Sequence, residues 1–205
     1  MSIADIKHMG KFHVDFFRVV LDLPHQEIAD YTMKFLEEKG SDVTFNKERK
    51  RIYTTYHSTN LNEEWQKDLP GREEFEADVK KLGHEWMKRT NRKPFKEDPH
   101  LFYWGSVYKE HDQHGSHIHP NSNIAGTYYP QVGQHSSGIT YEAPWTHHIM
   151  HDSMPFERSL WDYKPSQGDC MLWPSWISHR VSPQKKDKVL RVAISFNLDY
   201  SKYHD

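Results

Sequence analysis

The stretch HGSHIHPNSNIAGTYY, residues 114–129, puts three histidines within six positions, ahead of a run of strand-forming residues. The chain holds sixteen histidines in 205 residues, so local density alone does not make a site. Spacing says more. Residues two apart on a strand point to the same face, with about 7 Å between their Cα atoms. His117 and His119 can therefore aim both imidazoles at one ion. His114 falls on the other face of a regular strand and is left out of the set. A metal seat still requires a further ligand from a distant segment.

The segment GDCMLWPSWISHRVSPQKKDKVLRVAISFNL, residues 168–198, carries the second group of chemical residues. A Gly168-Asp169 turn, an apolar strand, Pro174 and Trp176 lead to His179 at the start of a new strand. Arg191 then sits inside the apolar run VLRVAISF. A buried guanidinium is costly unless an anion pairs with it. Strand alternation puts Val192, Ile194 and Phe196 on one face and Arg191, Ala193 and Ser195 on the other. The second face offers a guanidinium fork and a hydroxyl, which suits a carboxylate.

The elements that must hold these residues divide near residue 100. Before it, HQEIADYTMKFLEEKG repeats Ile28, Tyr31, Phe35 and Leu36 at helical spacing, with Lys39 and Gly40 as a stop. PGREEFEADVKKLGHEWMKRT gives a second helix with Phe75, Val79, Leu82 and Trp86 along one stripe. Its acidic first turn and basic last turn suit the helix dipole. Between the two, RIYTTYHS reads as a strand. After residue 100 come short strands: LFYWGSVYK, SHIH, NIAGTYYP, SGITYEA, DCMLWPSW, SHRVSP and VLRVAISFNL. Gly, Pro, Ser and Asn separate them, as in a sandwich or barrel. The expected fold is α+β: a jelly-roll core, the double-stranded β-helix, with N-terminal helices packed outside. One domain, 1–205, is expected, with a helical part at 1–99 and the metal-bearing jelly roll at 100–205.

Bulk composition narrows the function. A net charge of −2 lacks the basic footprint of a nucleic-acid binder. The runs NKERKR (46–51) and QKKDK (184–188) are short and mixed, as solvated faces or turns are. One cysteine, Cys170, precludes an intramolecular disulfide and agrees with a reducing compartment. No apolar run approaches the roughly 20 residues of a membrane-spanning helix, and MSIADIKHMGKF has no signal-peptide core. A cytoplasmic protein is expected. Aromatics make up 14% of the chain, which suits a β-rich core.

Taken together, the H-x-H pair, a distal histidine and an arginine beyond it resemble the Fe(II)/2-oxoglutarate-dependent oxygenases. HIHPNSNIAGTYY, PSWISHRVSP and RVAISFN more closely resemble a prolyl-hydroxylase-like family of these enzymes common in bacterial and phage sequences. The likeness covers about residues 100–198. It implies Fe(II) ligated by His117, His119 and His179, and 2-oxoglutarate held by Arg191 with help from Ser195. It also implies a cosubstrate role for Tyr108, before the ligand strand, and Tyr129, ending GTYY. The usual facial triad has two histidines and one carboxylate; here His119 stands at the acid's position, and Asp112, Glu142 and Asp169 lack the spacing to replace it. The implied reaction hydroxylates a small molecule or protein side chain with O2, releasing succinate and CO2. A histidine at the position halogenases vacate disfavours chlorination.

Two other readings fit the same spacing. A cupin-type dioxygenase would use three histidines without a 2-oxo acid, although the glutamate that follows H-x-H in cupins is missing. A non-catalytic jelly-roll binding module is the other. The stretch EAPWTHHIMHDSMPFERSLWDY, residues 142–163, reads as a lid or substrate loop, whose His147, His148 and His151 either face solvent or bind a ligand or a second metal. Trp173 and Trp176 are expected in the core.

Overall fold

A computed structural model of the protein describes residues 14–39, 42–44, 51–90, 97–142 and 160–200. Helices α1 (His25–Lys39) and α3 (Arg72–Arg89) form where the apolar spacing puts them. On α1, Ile28, Phe35 and Leu36 are buried; on α3, Phe75, Val79 and Trp86 are. Tyr31 and Leu82 are half-buried at the edges of these stripes. Glu73 and Glu74 open α3, and Lys88 and Arg89 close it.

A third helix, α2 (Thr59–Lys67), lies between them. It is too short to show a repeat, having only Leu61 and Trp65 as apolar positions. It begins on a cap: the Leu61 N–H donates to Ser58 Oγ at 3.3 Å. Trp65 is wholly buried and donates to Thr32 Oγ1 of α1 at 3.3 Å.

Eleven strands among the described residues form two antiparallel sheets. They are β1 (Phe17–Val20), β2 (Asp42–Thr44), β3 (Arg51–Thr54), β4 (His100–Tyr108), β5 (His114–His117), β6 (Ile124–Gln131), β7 (Ile139–Glu142), β8 (Leu160–Tyr163), β9 (Asp169–Pro174), β10 (His179–Val181) and β11 (Arg191–Asp199). The larger sheet runs β1-β9-β6-β11-β4-β3-β2 and the smaller β5-β10-β7-β8. From β4 to β7 the chain changes sheet with every strand, and again from β8 to β11. This winding is the double-stranded β-helix expected from the strand pattern.

Both faces of the larger sheet are buried, which explains why β6 is buried at every position. One face packs on the helices: Ile124, Tyr128, Leu172, Val192, Ile194 and Phe196 share a core with Ile28, Trp65, Phe75 and Val79. The other faces into the jelly roll, where Tyr108, Ala125, Tyr129, Met171, Trp173 and Ala193 form a second cluster. Gly105 on β4 permits the close approach of α2, since a Cβ there would lie 2.9 Å from the Trp65 ring.

Several elements depart from expectation. β1 and β2 were not anticipated. LWDY, expected within a lid, is strand β8, pairing with β7 from Ile139↔Tyr163 to Glu142↔Leu160. Trp173 is buried, but Trp176 is half-exposed in the turn after β9, because the chain reverses there and aims it outward. His147, His148, His151 and most of NKERKR lie outside the described residues. Among the described residues no helix is long and apolar enough to cross a membrane.

Trp65 links α1, α2 and β4, so Trp65→Ala should cost about 3–5 kcal/mol. Urea unfolding monitored by far-ultraviolet circular dichroism would measure the loss.

Candidate metal centre

Three elements bring three imidazoles together. His117 ends β5, His179 opens β10, and the two residues are register partners. His119 lies two residues past β5, where its backbone N–H donates to the Ser175 carbonyl at 2.9 Å. The ring centroids are 4.3 Å apart for His117 and His179, 5.0 Å for His119 and His179, and 5.2 Å for His117 and His119. One nitrogen from each ring lies within 4.8 Å of the others, close enough for a single metal ion.

Hydrogen bonds settle which nitrogen each ring offers. His117 Nδ1 contacts the Gly115 carbonyl at 2.8 Å, His179 Nδ1 the Ile177 carbonyl at 3.0 Å, and His119 Nδ1 the Asn197 Oδ1 at 2.5 Å. Each partner oxygen only accepts, so each Nδ1 carries the proton and Nε2 keeps its lone pair for a metal. Burial holds the rings neutral, pushing His179 down to about 2, His119 to about 4, and His117 below its ordinary value. Neutral imidazole is the form that ligates.

No carboxylate among the described residues joins this cluster. The three acids with unsuitable sequence spacing are engaged elsewhere. Asp112 accepts from the Lys109 N–H, and Asp169 pairs with Arg18. Glu142 has a role that spacing did not suggest. It accepts from Ser116, Ser178 and Arg180, at 2.7, 2.6 and 2.9 Å. Ser116 and Ser178 immediately precede His117 and His179, so one carboxylate ties the two ligand strands to β7. The Ser178 hydroxyl, chief among these partners, holds the Glu142 carboxyl below its usual range.

His114 also departs from expectation. His179 pairs with His117 and Val181 with His114, so β5 spends three residues where β10 spends two. This bulge turns His114 onto the His117 side, where their rings stack at 4.0 Å.

Next to the imidazoles lies the guanidinium. Arg191 is only 2% exposed. Its Nη1 donates to the Ser137 carbonyl at 2.8 Å and its Nη2 to the Tyr129 hydroxyl at 3.5 Å. The Tyr108 and Tyr129 rings each lie 5.1 Å from the guanidinium carbon. Its Nε is buried without a partner among the described residues. The cavity it faces is also lined by His117, His119, His179, Thr127 and Ser195, and among the described residues by no Asp or Glu. A buried cation with an orphaned donor and no acidic neighbour fits an anionic ligand. Burial lifts the Tyr108 hydroxyl to about 12 and raises Tyr129 as well, so both stay protonated and able to donate.

Asn197 was missed as well. It continues the Arg191, Ser195 face of β11, so counting by two along the strand identifies it. Glu142 and His114 carried no such signal, because one acts across strands and the other through a bulge.

Comparison with known proteins agrees with this geometry. Residues 102–197 match the family described as "Putative 2OG-Fe(II) oxygenase". No curated protein matches the chain. Among solved structures, a Pseudomonas putida prolyl-4-hydroxylase aligns with a TM-score of 0.60 at 12% identity, covering 90% of this chain and 91% of that one. The α-ketoglutarate-dependent carbocyclase SnoK from nogalamycin biosynthesis also gives 0.60, at 8% identity and 90% and 79% coverage. A Trichoplax adhaerens prolyl hydroxylase, in complex with a hypoxia inducible factor peptide fragment, gives 0.54 at 11% identity and 91% and 84% coverage. These likenesses show the fold. The family match falls on the segment that carries the site, and over that segment the chain is similar to the Fe(II)/2-oxoglutarate-dependent oxygenases. It is an enzyme of that class, with Fe(II) and 2-oxoglutarate as its cofactors.

Asn197→Ala would free His119 to take the other tautomer, with its Nε2 protonated. Loss of such a supporting partner typically costs 10–100-fold in metal affinity. Chelator competition on the purified variant should show a decrease in that range.

Proposed function

We propose that the protein hydroxylates a small molecule or a protein side chain at an Fe(II) held by His117, His119 and His179. In this reading Arg191 binds the distal carboxylate of 2-oxoglutarate, with Ser195, Tyr129 and Tyr108 beside it. The observation that carries it is the opening of three neutral imidazoles and a buried guanidinium, with no acidic partner among the described residues, onto one cavity. When bound, Fe(II) with 2-oxoglutarate activates O2 and oxidises the substrate, releasing succinate and CO2.

The chain's own residues supply binding and order. The three Nε2 lone pairs would hold the metal. Arg191 presents Nε and its Nη groups to a carboxylate, and the protonated Tyr129 hydroxyl can donate to the same oxygens. Ile139, Val181 and Ala193 line the cavity and exclude water, which strengthens the ionic contact. A third histidine in place of an acid leaves the metal one charge more positive. That increases its attraction for an anionic cosubstrate and makes the Asn197 contact more consequential.

We read the helices and the jelly roll as one domain, 1–205, because a single apolar cluster joins both. A cytoplasmic location fits a lone cysteine that is buried and free.

His179→Ala should abolish stoichiometric iron binding; unchanged iron by elemental analysis would refute the ligand set. Arg191→Leu should retain iron yet weaken 2-oxoglutarate. Losing one partner of a buried charge pair costs about 2–5 kcal/mol, so a cosubstrate titration should move by at least tenfold.

A further inference from the structure

A second cavity lies against the same imidazoles. It has a volume of about 250 Å³ and shares Trp104, His114, His117 and His119 with the cavity of Arg191. Arg191 and Tyr129 line only the inner space; Tyr56 and Asn121 line only the outer one. A molecule in the outer cleft would therefore meet the imidazoles across the wall from the guanidinium.

The outer cleft has a definite chemical character. Among the described residues its lining has no Lys, Arg, Asp or Glu. Apart from a metal and its dianionic cosubstrate, whose charges offset, a carboxylate, phosphate or ammonium entering it would lose hydration and meet no oppositely charged Lys, Arg, Asp or Glu among the described residues. Its mouth is apolar yet exposed: Tyr56 is 47% and Ile118 49% accessible. Tyr56 lies 4.8 Å from the Trp104 ring, which in turn lies 5.9 Å from His119. Aromatic surfaces left open to water gain from a ring laid against them. The volume falls just below the roughly 300–1,000 Å³ of pockets for drug-sized ligands, so the cleft seats a ring-sized group. Asn121, held at φ 62°, adds an amide that can both donate and accept at the rim.

We propose that this cleft seats the primary substrate, and that the group it takes is an uncharged flat ring bearing a neutral polar substituent. The proposal rests on the metal-site reading and gives it a substrate class. Tyr56, exposed at the mouth and backed by the buried Trp104, is the face that takes the ring.

Indole-3-acetamide is a suitable probe, with indole-3-acetate and tryptamine as charged counterparts of the same ring. The full chain is loaded with Mn(II) and 2-oxoglutarate, and probe proton relaxation is read against a Zn(II)-loaded control. Electron paramagnetic resonance reports whether Mn(II) is bound. The amide should relax faster beside Mn(II) and bind at least tenfold more tightly than either charged analogue. Tyr56→Phe should retain that binding, and Tyr56→Ala should lose it about tenfold with its Mn(II) content intact. If Mn(II) is bound but the amide is not relaxed, or the charged analogues bind equally well, the substrate class is wrong while the metal reading survives. If the protein takes up no Mn(II), the metal reading fails and this proposal with it.

Discussion

A positive charge enclosed by two tyrosine rings, with no acid among the described residues lining its cavity, is the constraint around which this jelly roll is organised. Arg191 occupies a strand whose other face is fully apolar, so it cannot turn toward water without taking Val192 and Ile194 out of the core. The Ser137 carbonyl and the Tyr129 hydroxyl engage its two terminal nitrogens, and Nε has no partner among the described residues. Such an arrangement persists only if the surrounding packing over-determines it. Here the packing is the larger sheet, sealed by helices on one side and by the smaller sheet on the other.

The three imidazoles are a gentler load on the fold. All are uncharged at neutral pH, and each has its Nδ1 proton already bonded. An ionised acid at position 119 would be expensive to bury before metal arrived; a histidine held by Asn197 is not. Support for the set comes from residues that touch no ligand. Glu142 fastens the strands bearing His117 and His179, while β11 carries both Asn197 and Arg191.

Much of this was legible beforehand, and the limits were physical. Strand alternation correctly divided Arg191, Ala193 and Ser195 from Val192, Ile194 and Phe196, because β11 is long and regular. The α1 and α3 stripes were readable because both helices span several turns. α2 was not, since nine residues with two apolar positions show no period. His114 defeated the same alternation rule that worked for β11, because a bulge changes the parity of β5. Trp176 looked like core from its type, yet its place in a reversal decided its exposure. Across β4, Tyr103 and Val107 face the helices while Trp104 and Tyr108 face inward; alternation predicts this split but says nothing of which side holds the chemistry.

The regularity of β11 also acts as a gauge. Side chains on its inner face recur every two residues, in steps of about 7 Å, whereas one methylene changes an acid's reach by far less. On the proposed role of Arg191, sliding the strand could not retune the span between guanidinium and metal to a slightly longer or shorter dicarboxylate. Any such change in diet would have to come from the length of the side chain at position 191 itself, with the backbone left where it is.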